Sequence, residues 1–146
     1  KYDMNSGVRG DYHYEFYHSG KSDYELNTPD YEWIDDFEKQ EGYKILLSHH
    51  PEYWAIREPM LRNRNIDLVL SGHAHGGQIR ILGKGLYAPG QGILPKYTNG
   101  VYKGRNGTMI VSAGMSNTYS IPRFWNETEI AYISYETGKC SNAFQE

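Results

Sequence analysis

Two short apolar runs constrain this chain more than any other feature. Lys44-Ile45-Leu46-Leu47-Ser48 and Asp67-Leu68-Val69-Leu70-Ser71 have unbroken apolar centres with no alternation of polar residues. Runs of that length, apolar on both sides, read as strands buried on both faces, as in the interior of an α/β fold. Each run delivers histidine. The first leads into His49-His50-Pro51 and the second into Gly72-His73-Ala74-His75-Gly76-Gly77-Gln78. Pro51 cannot continue a ladder and turns the chain away after the first run. In open α/β sheets ligands bind beyond the carboxyl ends of the strands, and neutral imidazole is the commonest transition-metal ligand. His49, His73 and His75 are therefore candidate metal ligands. His50 is a candidate for a place behind them, orienting a ligand.

The remaining elements follow from pattern. Tyr12, Tyr14 and Phe16 alternate as on a strand. Thr28-Pro29-Asp30 has the chemistry of a helix start, Tyr31, Ile34 and Phe37 follow at helical spacing, and Gly42 is a plausible stop. Trp54 to Asn65 predicts a helix disturbed at Pro59. Ile79 to Leu82 predicts a third strand, and Gly83 to Gly100, rich in Gly and Pro, a long surface loop. Leu82, Leu86, Tyr87, Ile93, Leu94 and Tyr97 are expected to pack beneath that loop, with contact to lipid or an apolar substrate as the alternative. Val101 to Lys103, Thr108 to Ser112 and Glu129 to Tyr135 predict further strands, with Asn106-Gly107 a hairpin turn. Strand–helix–strand followed by a β-rich region predicts an α/β sandwich.

Composition excludes several classes. Among 146 residues, 15 Lys and Arg against 18 Asp and Glu leave a net charge of −3, so no clear nucleic-acid partner is indicated. The lone Cys140 permits no internal disulfide and no cysteine-based zinc finger. No apolar run approaches the roughly 18 residues of a membrane span, and no signal peptide is recognisable at the start. A cytoplasmic or a membrane-associated location fits equally. Charge is uneven: residues 1–42 sum to −7 and 43–146 to +4. Between Ile79 and Arg105 every charged residue is basic. Such asymmetry can mark an anion-binding half. Arg80, Lys96 and Arg123 are candidate phosphate contacts, with structural or surface charge as the alternative for each. Ser48 and Ser71 lack the base and orienting group that would make a serine nucleophilic.

The segments Leu46-Leu47-Ser48-His49-His50-Pro51 and Ser71-Gly72-His73-Ala74-His75-Gly76-Gly77-Gln78 resemble the last two metal-binding motifs of the calcineurin-like metallophosphoesterases. The likeness continues through Leu86 to Gly92, Pro95-Lys96-Tyr97, Val111-Ser112-Ala113-Gly114-Met115 and Pro122-Arg123-Phe124, and is clearest over residues 44–135. It is closest to the bacterial branch of the family. The resemblance implies a four-layer α/β/β/α sandwich and two divalent transition metal ions, with Mn, Fe, Zn and Ni all compatible. His49 and His73 would bind one ion and His75 the other. Activity would be hydrolysis of a phosphorylated small-molecule or lipid-linked substrate.

The family's first motifs, Asp-x-His, Gly-Asp-x-x-Asp and Gly-Asn-His-Asp, are not matched. Asp11-Tyr12-His13 fits the first by letters only, since it leads from no apolar strand. Residues 1–146 are thus expected to form a single partial domain, the C-terminal half of the sandwich. Its upstream half, in the same polypeptide, would supply the remaining ligands, and this portion alone would be inactive. Two other readings stay open: a mononuclear three-histidine zinc hydrolase or lyase, and a catalytically silent binding module of the same fold.

Overall fold

A computed structural model describes residues 2–3, 31–116 and 122–134, the first two by their backbone. The expected strand at Tyr12 to Tyr17, the helix start at Thr28 to Asp30, and Cys140 lie outside the described residues.

The two apolar runs form adjacent parallel strands at the centre of a mixed sheet. In chain order the sheet strands are β1 (Tyr2–Asp3), β2 (Ile45–Leu47), β3 (Leu68–Ser71), β8 (Gly100–Lys103) and β9 (Thr108–Val111). They lie side by side in the order β1-β2-β3-β9-β8. All neighbours are parallel except β8 and β9. Leu46 pairs with Val69 and Val69 with Met109, and all three side chains are fully buried. Asp67 pins this register from below: its carboxylate accepts from the Lys44 amide at 2.7 Å, while the Asp67 and Leu68 amides donate back to the Lys44 carbonyl. The Asn106-Gly107 turn joins β8 to β9 as expected, with Gly104 N–H donating to Gly107 C=O at 2.8 Å.

The helix α1 (Tyr31–Glu38) turns Trp33, Ile34 and Phe37 into the core, as the apolar spacing predicts. Arg64 holds its solvent side, donating to Glu38 at 2.6 Å and also to Asp35.

Other expectations are corrected. Trp54 to Asn65 is not a helix: two 3-10 turns, Pro51–Trp54 and Leu61–Asn63, flank an irregular stretch. Pro59 offers no amide to a helical ladder, and Met60 takes a left-handed backbone (φ 51°) that ends any helical run. The expected long loop instead carries three short strands, β5 (Lys84–Gly85), β6 (Tyr87–Ala88) and β7 (Gly92–Ile93). β5 pairs with β4 (Arg80–Ile81), the structured part of the expected third strand, and β6 pairs with β7. Tyr97 packs into the core beside these hairpins. Leu82, in the β4–β5 turn, and Ile93 and Leu94, at the end of β7, do not; they are 97%, 82% and 68% exposed. Residues 129–134 form no strand. The Glu129 carboxylate instead accepts from the Ala113 amide at 3.1 Å, and its own amide donates to Gly114. Among the described residues no helix is long and apolar enough to cross a membrane.

Candidate metal centre

The ladder runs on past β2 and β3 and carries the histidines with it. Ser48 N–H donates to Leu70 C=O at 2.9 Å and Gly72 N–H to His49 C=O at 3.1 Å. The two strand exits thus stay in register up to the first ligand candidate on each. His73 Nδ1 and His49 Nε2 lie 3.2 Å apart. Two nitrogens that each sit about 2.0–2.1 Å from one ion are separated by about 2.9–3.4 Å at angles of 90–109°. The separation of the two nitrogens therefore matches that of a pair sharing one transition ion.

His73 is held below the usual imidazole range, at about 3. Burial is the main cause, followed by the neighbouring His50 and His49; Glu52 opposes them. At neutral pH the ring is uncharged, with a lone pair to offer. Its backbone is left-handed (φ 62°), as is that of His75 (φ 47°), with Ala74 right-handed between them. Each such non-glycine residue costs about 1–3 kcal/mol and persists only where its surroundings impose it.

Those surroundings are visible. Asn126 donates from Nδ2 to His75 C=O at 2.6 Å and to Gln78 C=O at 3.0 Å. Gly76 lies so close to Asn126 that a Cβ there would sit 2.2 Å from Oδ1. His75 Nδ1 faces the Ser116 carbonyl at 3.3 Å. A carbonyl can only accept, so in this contact Nδ1 carries the proton and Nε2 is the nitrogen with the lone pair. Asn126 and Ser116, distant in sequence, were not singled out by pattern.

The candidate phosphate contacts fall into two groups. Arg80 is committed to its own hairpin: it donates to Gly76 C=O and Asn99 Oδ1, both at 2.8 Å, and to Gly83 C=O. Arg123 clamps the final segment, donating to the carbonyls of Ala113 at 2.9 Å, Ser116 at 3.3 Å and Glu127 at 2.6 Å. It shares the Ser116 carbonyl with His75. Lys96 is exposed, its ammonium 5.3 Å from the centre of the Tyr97 ring. With Lys84 it lines a cleft of about 390 Å³ between the hairpins.

His50 stands behind the His49–His73 pair. Its ring centre is 4.0 Å from that of His73 and 5.3 Å from that of His49. Its Nδ1 lies 3.4 Å from Oε1 of Glu52, which is completely buried. Burial, the largest single influence, raises the Glu52 carboxyl, but the hydrogen bond from His50, the backbone of Glu52 itself and the neighbouring His50 and His73 together outweigh it, and the net displacement is downward. His50, Glu52 and His73 place their donor atoms within 4.8 Å of one another, a second grouping able to hold an ion. Nothing in the sequence around Glu52 announces it.

Comparisons with known proteins point to a family. The family of calcineurin-like phosphoesterases matches residues 2–77, just over half of the chain, including both histidine-bearing strand ends. The match also reaches upstream of residue 44. An uncharacterized metallophosphoesterase of Helicobacter pylori J99 is 38% identical over 93 residues, covering 61% of this chain and 22% of its own length. The uncharacterized metallophosphoesterase YkuE of Bacillus subtilis is 31% identical over 113 residues, covering 77% of this chain and 37% of its own length. No solved structure matches. The chain belongs to the calcineurin-like phosphoesterase family, a family of metal-dependent hydrolases. It spans between about a fifth and two fifths of the curated relatives it matches.

Proposed function

We propose that this chain supplies the histidine half of a two-metal phosphoester hydrolase site. His49 and His73 hold one divalent transition ion, and His75 holds the other through Nε2. The observation that carries this reading is the 3.2 Å approach of His73 Nδ1 to His49 Nε2 at the ends of two paired parallel strands. Metal bound there supplies a nucleophilic water at neutral pH and neutralises charge growing on the phosphoryl oxygens. Ser116 fixes the tautomer of His75, Asn126 fixes its backbone, and Arg123 steadies Ser116. Gly72, half-buried beside the His49 ring, adds no side chain where a phosphoryl group would approach, while Gly76 and Gly77 are buried against Asn126, Gly85 and Thr98 and let the turn pack. Lys84 and Lys96 attract the anion by charge from the neighbouring cleft; Arg80 and Arg123 act as structural clamps.

The remaining ligands, a bridging carboxylate among them, come from upstream in the same polypeptide, which also completes the four-layer sandwich. Alone, this portion hydrolyses little or nothing. The substrate is a phosphorylated small molecule or a lipid-linked phosphate, and Mn, Fe, Zn and Ni all suit the donor set. The test is His73→Ala in the intact protein, with Mn(II) added. Metal content falls and phosphoesterase activity is lost; unchanged activity refutes the ligand assignment. Metal counting in the intact protein checks the two-ion stoichiometry.

A further inference from the structure

Glu52 is hard to account for as a structural residue. It is completely buried. Oε1 has one long hydrogen bond, to His50 Nδ1 at 3.4 Å, and Oε2 has no hydrogen-bond partner among the described residues. A buried carboxylate so poorly satisfied is costly, and an apolar side chain of similar size would pack there at lower cost. The surroundings nevertheless preserve the space for it. Gly90, in the turn between β6 and β7, passes so close that a Cβ there would lie 1.6 Å from Oε1. Pro51 opens the 3-10 turn directly after His50, and that turn folds Glu52 back beneath the His50 ring.

These contacts form a path that ends at the candidate metal ligands. The β6–β7 turn confines the carboxylate, the carboxylate accepts from His50 Nδ1, and the His50 ring lies against the rings of both His73 and His49. We propose that Glu52 is a positioning residue for the metal centre: through its hydrogen bond it orients His50, and His50 holds the His49 and His73 rings in the geometry that binds a divalent transition ion. The proposal rests on the assignment of His49 and His73 as ligands.

Co(II) alone is the probe, titrated into the metal-free intact protein and followed by its visible absorption and by calorimetry. Glu52→Ala weakens binding about 10- to 100-fold, the usual effect of removing a group that orients a metal-binding histidine, and alters the absorption bands. Glu52→Gln, which keeps the acceptor oxygen, restores most of the affinity. His50→Ala weakens binding to a similar degree, and Glu52→Ala combined with His50→Ala is no weaker than either alone, because the two act in series. Gly90→Ala keeps the carboxylate but displaces it, and weakens binding in the same direction; it serves where Glu52→Ala fails to fold. Wild-type affinity and spectrum in Glu52→Ala or in Gly90→Ala overturn the proposal. So does a double variant whose loss is the product of the single losses, or a Glu52→Gln as weak as Glu52→Ala. His73→Ala separates the two levels. If it binds Co(II) like wild type, the ligand assignment itself has failed. If it loses binding while Glu52→Ala does not, only the positioning role has failed.

Discussion

Gly77 and Gly83 hold almost the same backbone, φ +81° and +78°, in opposite surroundings. At Gly83, in the turn between β4 and β5, an added Cβ meets nothing within 4 Å. At Gly77 it would lie 2.4 Å from Gly85 Cα and 3.0 Å from Thr98 Cγ2. The pair therefore separates conformational strain from packing. Placing an L-residue in this left-handed region costs about 1–2 kcal/mol, so Gly83→Ala is expected to lose about that much. Gly77→Ala bears the same cost and must also push two backbone segments apart, which adds about 1–3 kcal/mol. The predicted difference of about 1–3 kcal/mol is readable by chemical denaturation. In a thermal melt it corresponds to about 4 °C per kcal/mol for a chain of this size. The consequence reaches the metal centre, because Gly77 N–H closes the histidine turn onto Ala74 C=O at 2.7 Å. Gly77→Ala should therefore weaken Co(II) binding, and Gly83→Ala should not. Equal stability losses in the two variants would refute the packing argument, and equal metal affinities would refute the link between this contact and His75.

Two further outcomes are expected. Asn126→Ala leaves the His75 and Gln78 carbonyls without their shared donor, and should cost about 2–4 kcal/mol in denaturation. Asn126→Asp, with one oxygen in place of the donor, should be no better. The metal-free protein should lose stability as pH falls from 6.5 towards 3. In that window the unfolded His73 takes up a proton that the folded one, held at about 3, refuses. Melting temperatures at pH 7.5 and pH 5 test this, and His73→Ala should flatten the dependence.

What pattern reveals here depends on how many residues carry it. β2 and β3 are legible because each carries three consecutive apolar residues, Leu46, Leu68 and Val69 buried and Ile45, Leu47 and Leu70 half-buried, and α1 because Trp33, Ile34 and Phe37 share one face. The strands β4 to β7 are two residues each, too short to show alternation. Between Trp54 and Asn65 apolar spacing suggested a helix, but Pro59 and the left-handed Met60 decide the backbone. The five-stranded order follows from pairings across forty residues or more, such as Tyr2 with Leu46 and Leu68 with Thr108, which no local signal contains.

The site divides in the same way, and the division has a physical cause. Glycine-flanked histidines after apolar strands are visible because a strand end and a turn are local. The strain in that turn is also local, since His73 and His75 both hold left-handed backbones. What offsets the strain is not. Asn126 lies 51 residues from His75, and Ser116 lies 41. Asn126 acts by two hydrogen bonds and Ser116 by one, which composition and spacing cannot express. Arg123 is the converse case: sequence left it open between a phosphate contact and a structural charge, and its donors go to the carbonyls of Ala113, Gly114 and Ser116. Arg123 therefore holds the same Ser116 carbonyl that His75 Nδ1 faces. A strained turn that must present two imidazoles needs such remote supports, because the glycines that make the turn permissive also leave it nothing of its own to hold it in place.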